Sequence, residues 1–152
     1  VMDCDLQHPV EYIRDFVEKF NQGYSVVIGS RYIVGSKNNW EYNREIISRV
    51  ATGIAHAMFP FTINIKDPLS GYFLCRRELL ASLKPYRSMY KPLLYLLIFN
   101  NKIKDIREIP IEMRSRPSGQ SKIVNNYPKT VAMYSREILI YYTEYNKAKW
   151  KI

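Results

Sequence analysis

Apolar positions near the start of the chain fall first at helical and then at strand spacing. Ile13, Phe16, Val17 and Phe20 recur three and four residues apart, with Pro9 at the entry and Asn21-Gln22-Gly23 at the exit. That pattern predicts a helix. Tyr24-Ser25-Val26-Val27-Ile28, rich in β-branched residues and set between Gly23 and Gly29, predicts a buried strand. Ahead of the helix, Val1-Met2 runs straight into Asp3-Cys4-Asp5, which reads as the end of a strand followed by an acidic turn. Strand, helix, strand is the repeating unit of α/β folds.

Residues 29–43 are polar and irregular, and predict a functional loop or lid. Ile46, Ile47, Val50, Ala51, Ile54, Ala55, Met58 and Phe59 then form one helical stripe, with Asn43 placed to cap it and Pro60 to stop it. A loop at 64–71 leads to a short strand at 72–75, helices around 77–83 and 92–99, and a strand around 105–113. After the Gly/Pro/Ser loop at 114–122, residues 127–145 predict a terminal helix with Val131, Tyr134, Ile138, Tyr141, Tyr142 and Tyr145 on one side. Lys129, Arg136 and Glu137 lie off that stripe. Such a helix either packs on the core or, with its tyrosines and terminal cations, lies in a membrane interface. No repeat is visible.

Length and composition narrow the class. The 152 residues, 47% apolar and 24% charged, suffice for one packed domain and exclude a disordered chain. The longest unbroken apolar run, at 93–99, holds seven residues, against about 20 for a bilayer span. Cys4 and Cys75 have no metal-ligand spacing and are expected as reduced packing residues. The net charge of +9 is unevenly placed: residues 1–100 carry 12 Lys+Arg against 9 Asp+Glu, and residues 101–152 carry 11 against 5. The basic last third favours an anionic partner, which composition alone leaves as a phosphate-bearing substrate, an acidic membrane or a nucleic acid.

Two constellations carry candidate chemistry. Asp3 and Asp5, two apart at a strand end, point the same way and can share a hard cation such as Mg²⁺ or Mn²⁺, with Gln7 as a further oxygen donor. Alternatively, Asp5 caps the helix entered at Pro9 and Asp3 is a turn residue. Arg31 follows a strand, Arg44 and Ser48 sit one turn apart on a helix, and Arg116 lies in a glycine-bearing loop. These are phosphate-compatible donors, or else ordinary solvated arginines. Asp67-Pro68-Leu69-Ser70-Gly71 is a tight turn with a carboxylate at its entrance. His8 precedes the helix-opening proline, and His56 on a helix flank is expected to be structural.

The strings MDCDLQHP, GSRY, NREIISR, KDPLSGYF and RSRPSGQSK, in that order, resemble the polyprenyl- or dolichyl-phosphate mannosyltransferases, inverting glycosyltransferases of family 2. The resemblance implies an α/β GT-A fold, the Rossmann-like nucleotide-diphospho-sugar transferase architecture, of which only the C-terminal part is expected here. It divides the chain into an acceptor-side part of the catalytic domain, 1–122, and a C-terminal amphipathic helix, 123–152. It implies metal ligands at Asp3, Asp5 and Gln7, phosphate binding by Arg31, Arg44, Ser48 and Arg116, and an active-site turn at Asp67 and Ser70. Catalysis would rest on Asp5, Arg31 and Arg116.

The implied partners are a nucleotide-sugar donor, GDP-mannose above others, a polyprenyl or dolichyl phosphate acceptor, and a membrane surface. The implied setting is peripheral, on the cytosolic face. The nucleotide-binding half expected before Val1 is absent from these residues, so the chain alone is expected to be inactive. UDP-glucose is the alternative donor. Two rival readings are a non-catalytic basic membrane-surface module, binding anionic lipid through the last helix, and a nucleic-acid-binding module; the latter leaves Asp3, Asp5 and Asp67 without a purpose, so no nucleic-acid partner is expected.

Overall fold

The computed structural model describes residues 1–3, 7–40, 42–81, 83, 91–100, 103, 105–114 and 127–149. Its central element is strand β1, Val26–Ser30, buried at every position. β1 lies between β3, Phe73–Cys75, which it pairs antiparallel, and β4, Ile106–Pro110, which it pairs parallel. Successive side chains of a strand face opposite ways. Val27 accordingly joins Phe16, Tyr72 and Ile109 on one face, while Val26 and Ile28 join Phe73, Leu93 and Leu96 on the other. A strand covered on both faces has no polar side, which is why its sequence reads as a continuous apolar run.

The first face is covered by a 3-10 turn, Val10–Tyr12, running into α1, Ile13–Asn21. Only Phe16 of this helix is buried; Ile13 and Val17, expected on its inner stripe, stand 47% and 44% exposed. α1 crosses the small three-stranded sheet and meets it chiefly through the Phe16 ring, which packs with Val27, Tyr72 and Ile109. Gly29 is required by the same contact, because a Cβ there would meet Phe16 at 3.0 Å, Ile111 at 3.1 Å and the Tyr72 carbonyl at 3.2 Å.

The polar stretch 29–43 contains a two-residue strand, β2, Lys37–Asn38, which the sequence pattern does not signal. It pairs parallel with β5, Glu112–Met113. The strand expected around 105–113 is therefore two strands divided at Ile111. Ile111 donates its N–H to the Ser30 carbonyl and accepts from the Lys37 N–H, so the chain changes partner where β1 ends.

Helix α2, Tyr42–Met58, begins ahead of Asn43, which places Asn43 in the first turn and not at the cap. α3 is Arg77–Ala81, α4 is Pro92–Phe99 and α5 is Tyr127–Lys149. α4 buries Leu93, Leu94, Tyr95, Leu96 and Ile98, as an element apolar all round must. α5 packs on α2 and α4 through Ala51, Ala55, Phe59, Leu94, Tyr95, Ile138 and Tyr141. Small residues on α2 let the two long helices approach closely. Ile46 and Val50 are 41% and 52% exposed, so the buried stripe of α2 is narrower than its periodicity predicts.

Glu137, expected off the inner face of α5, is buried and accepts a 2.7 Å hydrogen bond from the Tyr141 hydroxyl. Burial, then this carboxylate, holds the Tyr141 hydroxyl far above its ordinary pKa. Cys75 is a free, partly buried thiol against the second face of the sheet, as expected; Cys4 lies outside the described residues. No described helix is long and apolar enough to cross a membrane.

Candidate functional site

At the carboxyl end of β1 the chain turns sharply and Arg31 meets Asp67. The arginine Nε donates to Asp67 Oδ2 at 2.7 Å and Nη2 to Oδ1 at 2.6 Å, a planar two-point pair. The backbone N–H of Arg31 adds a third bond to Oδ2 at 3.0 Å. Asp67 has no exposed surface and the Arg31 side chain 9%. Burial by itself lowers the arginine's pKa; the Asp67 carboxylate and its hydrogen bonds more than offset this and hold it above the ordinary value. The turn carrying Asp67 is fixed in turn by Glu108 of β4, whose two carboxylate oxygens accept the N–H groups of Lys66 and Asp67. Ser70 closes the turn by donating to the Gly29 carbonyl at 2.7 Å and accepting the Tyr72 N–H.

A second cation stands beside the first. Arg44, in the first turns of α2, donates Nη2 to the Gln7 amide oxygen at 3.2 Å, and Gln7 passes its own Nε2 hydrogen to the Arg114 carbonyl. The Arg44 guanidinium lies over the Trp40 ring at 3.9 Å from its centroid, and that of Arg31 over the same ring at 4.9 Å. One turn further along α2, Ser48 accepts from the Tyr32 hydroxyl at 2.7 Å, while Arg49 sits over the Tyr32 ring. Burial raises the Tyr32 pKa, with Arg31 opposing, so the phenol stays protonated and remains the donor.

Lys91, directly ahead of α4, is the third cation. Its charge is felt together with those of Arg31, Asp67, Asp3 and Arg44, and its ammonium lies 4.5 Å from the Tyr134 ring centroid on α5. Burial, reinforced by Arg31, pushes it down to about 8 against the partial compensation of Asp67 and Asp3. Asp3 itself is exposed, with its carboxylate against Gly71: a Cβ on that glycine would come within 3.0 Å of Oδ2. His8 accepts the Asp3 N–H at Nδ1 and stacks on Tyr72. His56 bonds to Thr62 within the α2 terminus, away from these groups in the hydrogen-bond network.

The residues singled out from sequence are thus distributed unequally. Arg31 and Asp67, read as separate motifs, form one buried pair. Gln7 and Arg44, read as metal ligand and phosphate donor, touch each other. Ser48 reaches the group through Tyr32, and Asp3 through the charge it shares with Lys91. Ser70 turns inward to backbone. Asp5 and Arg116 lie outside the described residues, and among those residues no cluster of three His, Cys, Asp or Glu side chains gathers. The sequence pattern missed Trp40, Tyr32, Lys91 and Glu108. Only Trp40 carried a signal: a lone tryptophan in a polar stretch between two arginines.

The chain is similar in sequence to several known proteins. The "Dolichol-phosphate mannosyltransferase" of Pyrococcus furiosus is 36% identical over 99% of this chain and 40% of its own length. That of Mycosarcoma maydis is 33% identical over 80% of the chain and 42% of its own. The "Dolichyl-phosphate hexose transferase" of Haloferax volcanii is 31% identical over 80% and 51%. The chain spans about half the length, or less, of these curated relatives. The family model described as glycosyl transferase family 2 matches residues 1–84, which hold Asp3, Gln7, Arg31, Arg44, Ser48, Asp67 and Ser70. With a mixed parallel and antiparallel sheet that fits a GT-A fold, and with that match over more than half its residues, the chain belongs to glycosyl transferase family 2.

Proposed function

We propose that the protein transfers a hexose, mannose from GDP-mannose, to the phosphate of a dolichyl or other polyprenyl lipid, in one displacement that inverts the anomeric carbon. The observation that carries this reading is the gathering of Arg31, Arg44 and Lys91 beside Asp3 at the carboxyl end of β1. Carboxyl ends of strands are where open α/β sheets bind ligands. The names of the similar proteins supply the acceptor and sugar class.

A phosphate monoester with a second pKa of about 6 is already largely dianionic near neutral pH, so the acceptor needs no protein base. It needs positioning and charge neutralisation. Arg44, held by Gln7 and Trp40, is assigned to a substrate phosphate. Arg31, matched by Asp67, supplies direction more than net charge. Arg116 is assigned the acceptor phosphate from the loop at 114–122. Asp3 and Asp5, with Gln7, form the hard-oxygen set for Mg²⁺ or Mn²⁺, and the exposed carboxylate of Asp3 suits an ion that keeps much of its water. Such an ion, when bound, neutralises the departing diphosphate. The exposed apolar residues Leu139 and Tyr142 of α5 support a peripheral position on a membrane, which we assign to its cytosolic face.

The test is transfer by the full-length natural protein from labelled GDP-mannose or UDP-glucose to dolichyl phosphate, with and without chelator. Turnover with GDP-mannose that chelator abolishes, and that Asp5→Ala abolishes, is the expected result. Preference for UDP-glucose overturns the sugar, and near-normal activity of Asp5→Ala overturns the metal role.

A further inference from the structure

Two positively charged guanidiniums repel each other, yet Arg31 and Arg44 both stand within 5 Å of the centroid of one indole ring. The electron-rich face of tryptophan attracts cations better than that of any other aromatic side chain. Trp40 therefore touches both arginines and favours their being together. The ring is itself fixed from below. β2 pairs with β5, the Asn39 N–H reaches the Met113 carbonyl, and Trp40 packs on the cluster of Phe16, Tyr72, Ile111 and Met113. The three-way arrangement is rigid where a long arginine side chain is ordinarily free.

The same segment leaves polar atoms unused. The Trp40 Nε1–H and both amide atoms of Asn38 are buried without a hydrogen-bond partner among the described residues. Buried polar atoms are nearly always satisfied, and those that are not ask for a ligand or a function. Trp40 and Asn38 are two residues apart on an extended segment, so they address the same side of it.

Resting on the phosphate-transfer reading, we propose that Trp40 is a positioning residue of the phosphate site. Its ring holds Arg31 and Arg44 at one anion-binding position, and its Nε1–H with the Asn38 amide completes the donor set around a phosphate of donor or acceptor. Asp67 already fixes Arg31 by a two-point pair, so the indole mainly serves to aim Arg44, whose guanidinium lies 3.9 Å from the ring centroid and donates to Gln7.

The experiment compares wild type, Trp40→Phe, Trp40→Leu and Arg44→Ala in the full-length natural protein, with geranyl phosphate as acceptor and GDP-mannose as donor. Trp40→Leu should raise the KM of one substrate about tenfold while kcat changes little, and Trp40→Phe, which keeps a ring, should recover most of it. A rise for geranyl phosphate identifies the acceptor's phosphate as the one held; a rise for GDP-mannose identifies the donor's. Unchanged KM for both, or equal losses in Trp40→Phe and Trp40→Leu, overturns the proposal. Calorimetric titration with inorganic pyrophosphate reads the same site without turnover. Joint weakening in Trp40→Leu and Arg44→Ala supports the proposal, and weakening in Arg44→Ala alone overturns it. If pyrophosphate binding behaves as expected but no acceptor phosphate is glycosylated, the function reading fails and the positioning role stands.

Discussion

The end of β1 and the contact between α2 and α5 hold the chain together by opposite means. At the first, buried charges are matched one by one: Arg31 by Asp67, the Asp67 turn by Glu108, Arg44 by Gln7 and Trp40. At the second, Ala51, Ala55, Phe59 and Ile138 meet through apolar surface, and the buried Tyr141–Glu137 bond is the exception. Apolar contact is tolerant of small changes of shape and sign. A buried ion pair tolerates neither, because removing one partner strands the other charge in a poor solvent. The gathered charges at the end of β1 make that region locally fragile, and the forgiving packing lies elsewhere.

The contrast is broken most directly at Asp67. Asp67→Ala leaves the Arg31 guanidinium buried without its counter-charge, and should cost about 3–5 kcal/mol in urea denaturation. A loss below about 1 kcal/mol would mean that Arg31 escapes to water and that the pair is not a structural unit. Ile138→Ala, in the helical contact, should cost about 2–4 kcal/mol by the same measurement, as a deleted aliphatic side chain does in a packed core. Its effect on phosphate binding should be small, whereas Asp67→Ala should impair both stability and binding.

Ionisation sharpens the comparison further. Lys91 is pushed down to about 8 by burial, then by Arg31, while a lysine in the unfolded chain keeps its proton to its ordinary value of 10.5. Between these two values the unfolded state binds more protons, so the contribution of Lys91 to stability rises with pH across that window. Lys91→Met should flatten this rise in denaturation curves taken at pH 7.5, 9 and 10. A steeper rise in the variant would contradict the assigned environment. The smallest effect is expected at the edge of the site: Tyr32→Phe removes one hydrogen bond to Ser48 and should cost about 0.5–1.5 kcal/mol.

Much of the fold was legible because burial writes itself into residue spacing. The helix of α1, the buried strand β1 and the wholly apolar α4 lie within a residue or two of where the pattern puts them. The misses have physical causes. β2 and the break at Ile111 depend on which strand is available as a partner where β1 stops, and no local signal records that. Glu137 reads as a surface residue until Tyr141 one turn away supplies a donor. Asn43 looks like a cap, but the helix starts before it.

The candidate site was legible as a collection of residue types and far less as an arrangement. Arg31, Arg44, Ser48, Asp67, Asp3 and Gln7 stand out by motif, and the resemblance they carry agrees with the family match over residues 1–84. That much was determined by sequence, because the chemistry of acids, arginines and turns is a property of the residues themselves. The tertiary structure decided that Arg31 meets an internal carboxylate while Arg44 meets Gln7 and an indole face. It turned Ser70 inward and set Trp40 between two arginines. It also placed Lys91, distant along the chain, among the same charges. Electrostatic roles depend on distances across the fold, and these are fixed only when β1, β4, α2 and α4 have packed.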